Sequence, residues 1–269
     1  MTDNINKFKG LGVAIITPFQ SSGIVDFKAL EILVEDLISN HVDYLLALGT
    51  TSEAPTLTPA EKQDVLRCIT DVNNGRLPVL MGLGGPNTLG LAEKMEDIAK
   101  LPIDAILSVT PYYNKPSQNG LFEHYKFLSA HSPKPILLYN VPGRTACNLT
   151  AETTLRIAAA CPNVIGIKEA SGNIKQILHL LHYKPENFLV ISGDDLLTLP
   201  MMAAGLDGLI SVIANAFPAE VSNMVNLAMN DQFIKARLYR NYTLLLHPNM
   251  NITRHYDTQL HIHLSPHSN

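Results

Sequence analysis

Eight short apolar runs, each followed by a stretch of helical periodicity, fill this chain from its beginning almost to its end. The runs fall at 13–18, 44–49, 78–83, 105–110, 135–140, 164–169, 188–193 and 208–214. Helical patterns fall at 26–40, 59–74, 88–100, 118–131, 150–161, 173–183, 195–204 and 218–229. Thr58-Pro59-Ala60-Glu61 carries the start signal of a capped helix. Strands that are apolar on both faces and separated by helices form parallel sheets. Eight such units closing on themselves predict a single (β/α)8 TIM barrel, α/β in class. At 269 residues and 46% hydrophobic, the chain has the length and apolar content for one barrel core.

The same pattern sets the expected boundaries. Residues 1–230 make the catalytic barrel, and 231–269 begin as a helix and end as a tail. After Leu246 the composition turns to His, Asn and Thr, with no Glu or Lys. This atypical C-terminal segment is expected to be disordered, truncated or frame-shifted relative to a complete barrel. A metal-binding role for the tail would rest on His261 and His263, too few fixed ligands.

Net charge is −4, without a basic cluster in the body of the chain, which argues against nucleic acid as a partner. No apolar run approaches the ~18 residues of a membrane helix, and the first residues do not form a signal peptide. Three scattered cysteines, Cys68, Cys147 and Cys161, suit reduced thiols. A cytoplasmic protein without membrane contact is expected.

Polar and glycine residues gather at the C-terminal end of each run, the face on which active sites of this fold lie. Lys168 stands there in Val164-Ile-Gly-Ile-Lys-Glu169. A buried ammonium is costly unless it is paired or deprotonated, and a neutral amine condenses with carbonyls to a Schiff base. The competing reading is a strand-end lysine that reaches solvent or pairs with Glu169.

Gly49-Thr50-Thr51-Ser52-Glu53 can aim backbone N–H groups and hydroxyls at a carboxylate, or be a turn rich in turn formers. Tyr139-Asn-Val-Pro-Gly-Arg144-Thr145 offers an acid–base tyrosine and a carboxylate-holding arginine. The alternatives are a rim tyrosine and a solvated arginine. In Thr110-Pro-Tyr-Tyr-Asn114, alternation along a strand lets one tyrosine face a given pocket, unless both serve packing or a subunit interface. The segments 188–195 and 208–215 supply small residues beside Lys168.

No phosphate-cradling loop and no Gly-x-Gly-x-x-Gly after a first strand occur, and no run ends in a histidine. Five of the ten histidines follow residue 246. Amine chemistry with no cofactor and no metal is the expectation.

Gly49-Thr-Thr-x-Glu53, Thr110-Pro-Tyr-Tyr-Asn114, Tyr139-Asn-Val-Pro-x-Arg-Thr145, Gly166-Ile-Lys-Glu-Ala170, Ser192-Gly-Asp-Asp195 and Gly208-Leu-Ile-Ser-Val212 occur in this order. In motifs and spacing the chain resembles the dihydrodipicolinate synthase family of Schiff-base class I aldolases, from about residue 8 to about residue 238. The resemblance implies a lyase that condenses pyruvate with L-aspartate 4-semialdehyde on the diaminopimelate route of lysine biosynthesis. By the same resemblance Lys168 carries the Schiff base, and Tyr139, Thr50 and Tyr113 relay protons. Tyr113 would come from a neighbouring subunit of a homodimer or homotetramer. Thr50 and Thr51 would hold pyruvate, Arg144 the semialdehyde carboxylate, and Gly193 and Ile210 the pocket wall.

Sister lyases acting on N-acetylneuraminate or 2-keto-3-deoxy sugar acids share the lysine, the tyrosine and the threonine loop. The Tyr-Tyr pair and Pro-x-Arg-Thr favour the synthase. A barrel impaired by its altered C-terminus is a third expectation. Two departures from the family pattern stand out besides the tail. Ser52 replaces a glycine, and Lys62 and Leu91 occupy positions resembling a histidine and a glutamate of the lysine-feedback site.

Overall fold

The computed structural model describes residues 5–246, with side chains as far as residue 240. The first half comprises β1 (Gly10–Ala14), α1 (Phe27–Ser39), β2 (Tyr44–Ala47), α2 (Pro59–Asn73), β3 (Val79–Leu83), α3 (Thr88–Ile98), β4 (Ala105–Val109) and α4 (Gln118–His131). The second comprises β5 (Ile136–Asn140), a single turn α5 (Pro142–Thr145), α6 (Ala151–Ala160), β6 (Val164–Glu169), α7 (Ile174–Tyr183), β7 (Leu189–Ser192), α8 (Thr198–Met202), β8 (Gly208–Ser211), α9 (Pro218–Met229) and α10 (Phe233–Leu246). Each strand pairs in parallel with the next, and β8 pairs with β1 to close the barrel.

Short polar side chains decide where the helices begin. Asp26, Thr58, Asn87, Ser117, Thr150 and Asn173 each accept a backbone N–H from the first turn of the helix they precede. Thr58 and Glu61 complete a reciprocal capping box. Each cap contributes about 1 kcal/mol and fixes where a strand-to-helix loop ends.

Alternation along the strands sorts the core into two layers. Tyr44, Leu46, Leu80, Leu107, Leu137, Ile165, Leu189, Ile191 and Ile210 fill the barrel interior. Leu11, Val13, Leu45, Ile106, Leu138, Ile167, Val190 and Leu209 face the helices. At the end where the strands start, Phe8 meets Tyr44 edge to face at 5.6 Å, and both are fully buried. These rings close the floor of the barrel.

Three predicted elements shift by three residues or more at an end. The first strand, expected at 13–18, begins at Gly10 and stops at Ala14. Glycine at positions 10 and 12 hides its start, because glycine is a poor strand former. Gly12 is needed there: a β-carbon would lie 2.1 Å from the Tyr44 ring. The strand stops because the Ile16 N–H leaves the sheet for the Asn215 side chain, at 3.1 Å. The eighth run ends at Ser211, since Ile213–Asn215 coils into a 3-10 turn. The helix expected at 195–204 shortens to α8 because Asp194 Oδ1 accepts the N–H groups of Leu196 and Leu197, holding a turn ahead of it.

In α10, Ala236 is fully buried and Phe233 and Tyr239 pack on the main core, while Ile234 and Leu238 are exposed. The readings made for the tail after Leu246 lie outside the described residues. Among those described, no helix is long and apolar enough to cross a membrane, and no three His, Cys, Asp or Glu residues are grouped as a metal site.

Candidate active site

Register brings Lys168 and Tyr139 together. They are paired positions on β6 and β5, and both side chains turn into the barrel. Lys168 Nζ stands 4.6 Å from the centre of the Tyr139 ring. Lys168 is 4% exposed and Tyr139 6%. The amine thus rests over an aromatic face, a contact that favours a cation and still leaves an amine reachable from one side. It neither extends to solvent nor pairs with Glu169, whose carboxyl faces the helix layer and bonds Gln176 of α7.

Room for the lysine stem comes from Gly193, the residue just after β7. A β-carbon at Gly193 would stand 2.8 Å from Lys168 Cε and 2.8 Å from Ala170 Cβ. Ile210, fully buried, lines the interior from β8.

The threonine loop leaves β2 at the same end. Thr50 is exposed and Thr51 half-buried. Ser52 is buried, and its hydroxyl donates to the Gly49 carbonyl at 2.8 Å, so the side chain in place of glycine tightens the turn. The Ser52 carbonyl accepts from Thr17 Oγ1 at 2.9 Å, and Glu53 takes the left-handed conformation at φ +54°.

Arg144 lies exposed on α5, the single turn that follows β5. Thr145 braces that turn through its hydroxyl, which lies 3.2 Å from the Val141 carbonyl and 2.9 Å from that of Cys147. Tyr113 departs from the strand-alternation argument. β4 ends at Val109, so both tyrosines stand in the following loop, Tyr112 37% exposed and Tyr113 88%. Tyr113 has a left-handed backbone, φ +72°. Its ring is bare in the single chain.

The site therefore has a buried centre of Lys168, Tyr139 and Ile210, with the half-buried Gly193 beside the lysine. Thr50, Thr51, Arg144 and Tyr113 stand on segments leaving the same end of the barrel. Asp195, carried in the Ser192–Asp195 motif without a role, ties the segment after β7 to the end of β8. Ser211 Oγ reaches its Oδ1 at 2.5 Å and the Val212 N–H its Oδ2 at 3.0 Å. Burial pushes this carboxyl above the usual range. The Ser211 hydroxyl, the Val212 and Ile213 N–H groups and the charge of Lys168 oppose that shift. The Asp194-Asp195 doublet was visible, but not which member turns the chain and which faces the lysine.

The model of the dihydrodipicolinate synthetase family matches residues 7–260. The chain belongs to that family. The 4-hydroxy-tetrahydrodipicolinate synthase of Parabacteroides distasonis is 51% identical over 240 residues, covering 89% of this chain and 81% of the relative. Among solved structures, the chloride-inhibited dihydrodipicolinate synthase of Acinetobacter baumannii in complex with pyruvate is similar at TM-score 0.85 and 40% identity, covering 89% of this chain and 82% of that one. A structure described as the first monomeric dihydrodipicolinate synthase variant matches at TM-score 0.87 and 36% identity, covering 93% and 85%. The family match extends past residue 238, where the motif resemblance ends, and takes in part of the tail.

Proposed function

We propose that this chain catalyses the 4-hydroxy-tetrahydrodipicolinate synthase reaction, a lyase-class condensation of pyruvate with L-aspartate 4-semialdehyde, on the diaminopimelate route of lysine biosynthesis. The observation that carries the reading is the Lys168 amine held over the Tyr139 ring inside the barrel, with Gly193 leaving room for the lysine stem. The family membership and the pyruvate complex of a relative support the same substrate.

In this reading the Lys168 amine attacks the pyruvate ketone, water leaves, and a protonated imine forms. Loss of a methyl proton gives an enamine, whose carbon attacks the aldehyde of the second substrate. The amine of that substrate then displaces Lys168 and closes the ring. Tyr139 is the acid–base group beside the nitrogen, with Thr50 and a neighbour's Tyr113 extending the relay. Thr50 and Thr51 hold the pyruvate carboxylate, Gly193 and Ile210 line the pocket, and Arg144 holds the semialdehyde carboxylate. The bare Tyr113 ring suits assembly into a dimer or tetramer in the cytoplasm. No step calls for a cofactor or a metal. The domain division at 230/231 and the atypical tail remain part of this proposal.

The test is borohydride reduction with pyruvate, followed by peptide mass spectrometry. A pyruvate-derived mass on Lys168, absent from Lys168→Ala, is expected. An adduct on another lysine, or cleavage of N-acetylneuraminate faster than condensation, would overturn the assignment.

A further inference from the structure

Behind the site, on the outer face of the same two strands, lies a buried polar cluster centred on Asn140 and Glu169. Each follows a site residue by one position, Asn140 after Tyr139 and Glu169 after Lys168, and the two are register partners. Strand alternation turns them away from the interior. Asn140 is 0% exposed and Glu169 2%.

Asn140 Nδ2 donates toward both Glu169 oxygens at 3.2 and 3.1 Å, and to Asn148 Oδ1 at 2.9 Å. The Ser171 N–H donates to Glu169 Oε1 at 2.7 Å, and Gln176 Nε2 to Oε2 at 3.1 Å. None of the ion pairs among the described residues includes Glu169. A carboxyl group kept in the core among neutral donors is costly unless its acceptor sites are filled, as they are here.

The second half of the cluster concerns the arginine segment. The chain leaves β5 at Asn140, passes through α5 with Arg144, and returns at Leu149, whose N–H donates to Asn140 Oδ1 at 2.9 Å. Gln176 Nε2 secures the same point through the Leu149 carbonyl at 3.1 Å. One amide therefore clasps both ends of the Arg144 segment, and Glu169 orients that amide.

We propose that Asn140 and Glu169 are positioning residues that lock the arginine segment to the strand carrying the Schiff-base lysine, so that the aldehyde substrate meets the pyruvate adduct in a fixed register. The inference rests on the reading of Lys168 as the Schiff-base residue and adds the residues that govern the second substrate.

The test uses Glu169→Gln, Asn140→Asp, the double exchange, and Gln176→Leu as a milder arm. Glu169→Gln sets amide against amide, and Asn140→Asp sets carboxyl against carboxyl, whereas the double exchange restores one donor–acceptor pair. Each variant is assayed for borohydride-trapped pyruvate, for KM with each substrate, for kcat, and for folded fraction by circular dichroism. Pyruvate trapping is expected to survive in the single variants, while KM for the semialdehyde rises about tenfold and kcat falls. The double exchange recovers much of the loss, and Gln176→Leu shows the same KM split on a smaller scale.

Equal KM values in unaltered chain and folded variants would overturn the inference alone. So would a double exchange no better than the single variants, or losses that only track the folded fraction. Absence of a trapped adduct in the unaltered chain would overturn the Schiff-base reading itself, and this inference with it.

Discussion

The stem of Lys168 passes where Gly193 lacks a β-carbon. A β-carbon on Gly193 would stand 2.8 Å from the lysine Cε and 3.1 Å from its Cγ. The lysine stem is flexible, but Ala170 Cβ crowds the same point at 2.8 Å. Gly193→Ala is therefore expected to displace the amine from the Tyr139 ring while the barrel stays folded. The yield of trapped pyruvate adduct should fall at least about tenfold, with a melting temperature within a few degrees of the unaltered chain. Normal trapping would show that the stem yields at no cost to the chemistry.

Arg144 gives the opposite separation. It is exposed on a single helical turn, and none of the ion pairs among the described residues includes it. Arg144→Ala should leave pyruvate trapping unchanged and raise KM for the semialdehyde by about ten- to a hundredfold. Trapping and condensation falling together would assign the residue to the fold.

Tyr113 is tested by mixing. Tyr113→Phe chains and Lys168→Ala chains are each expected to be nearly inactive alone. Mixed assemblies can form one site that draws Lys168 from the first chain and Tyr113 from the second, so activity should return. No recovery in mixed dimers verified by mass would place Tyr113 within its own chain's site or outside the chemistry.

His124 offers a test of the fold. Its Nδ1 lies 2.7 Å from Thr88 Oγ1, and its Nε2 is buried without a partner. Burial lowers its pKa from 6.5 to about 4. The folded state thus binds the proton less tightly than the unfolded chain. Stability from the neutral ring is complete above pH 6.5 and is lost as pH falls toward 4. At pH 5 the loss from this group is about 2 kcal/mol. Urea unfolding at pH 7.5 and pH 5 should show the unaltered chain losing that much more than His124→Asn, and equal losses would contradict it.

The eight-unit pattern was legible because apolar period and capping chemistry agree at each helix start, as at Thr58 and Glu61. The buried centre was legible because a lysine in an apolar strand is costly and therefore conspicuous. What escaped depends on contacts between distant segments. Gly10 and Gly12 look unlike strand residues until the Asp43 carboxylate and the Tyr44 ring are seen to need their space. The exposed position of Tyr113 follows from where β4 stops, and strand alternation cannot report that. The Asn140–Glu169 cluster draws on Asn148, Ser171 and Gln176, and spacing alone does not bring these together.

Among the described residues, the rings of Phe8 and Tyr44 stop up the end of the barrel opposite Lys168. In the proposed reaction the traffic then runs through the other end: pyruvate going in, the water expelled when the imine forms, the aldehyde, and the cyclic product. Such a passage imposes a queue. Water has to clear before the aldehyde can approach, and only a covalently tethered first substrate keeps its place while the second arrives. In the proposed reaction the Lys168 bond is then an anchorage as well as an activation, and the blind end of the barrel gives that anchorage its purpose.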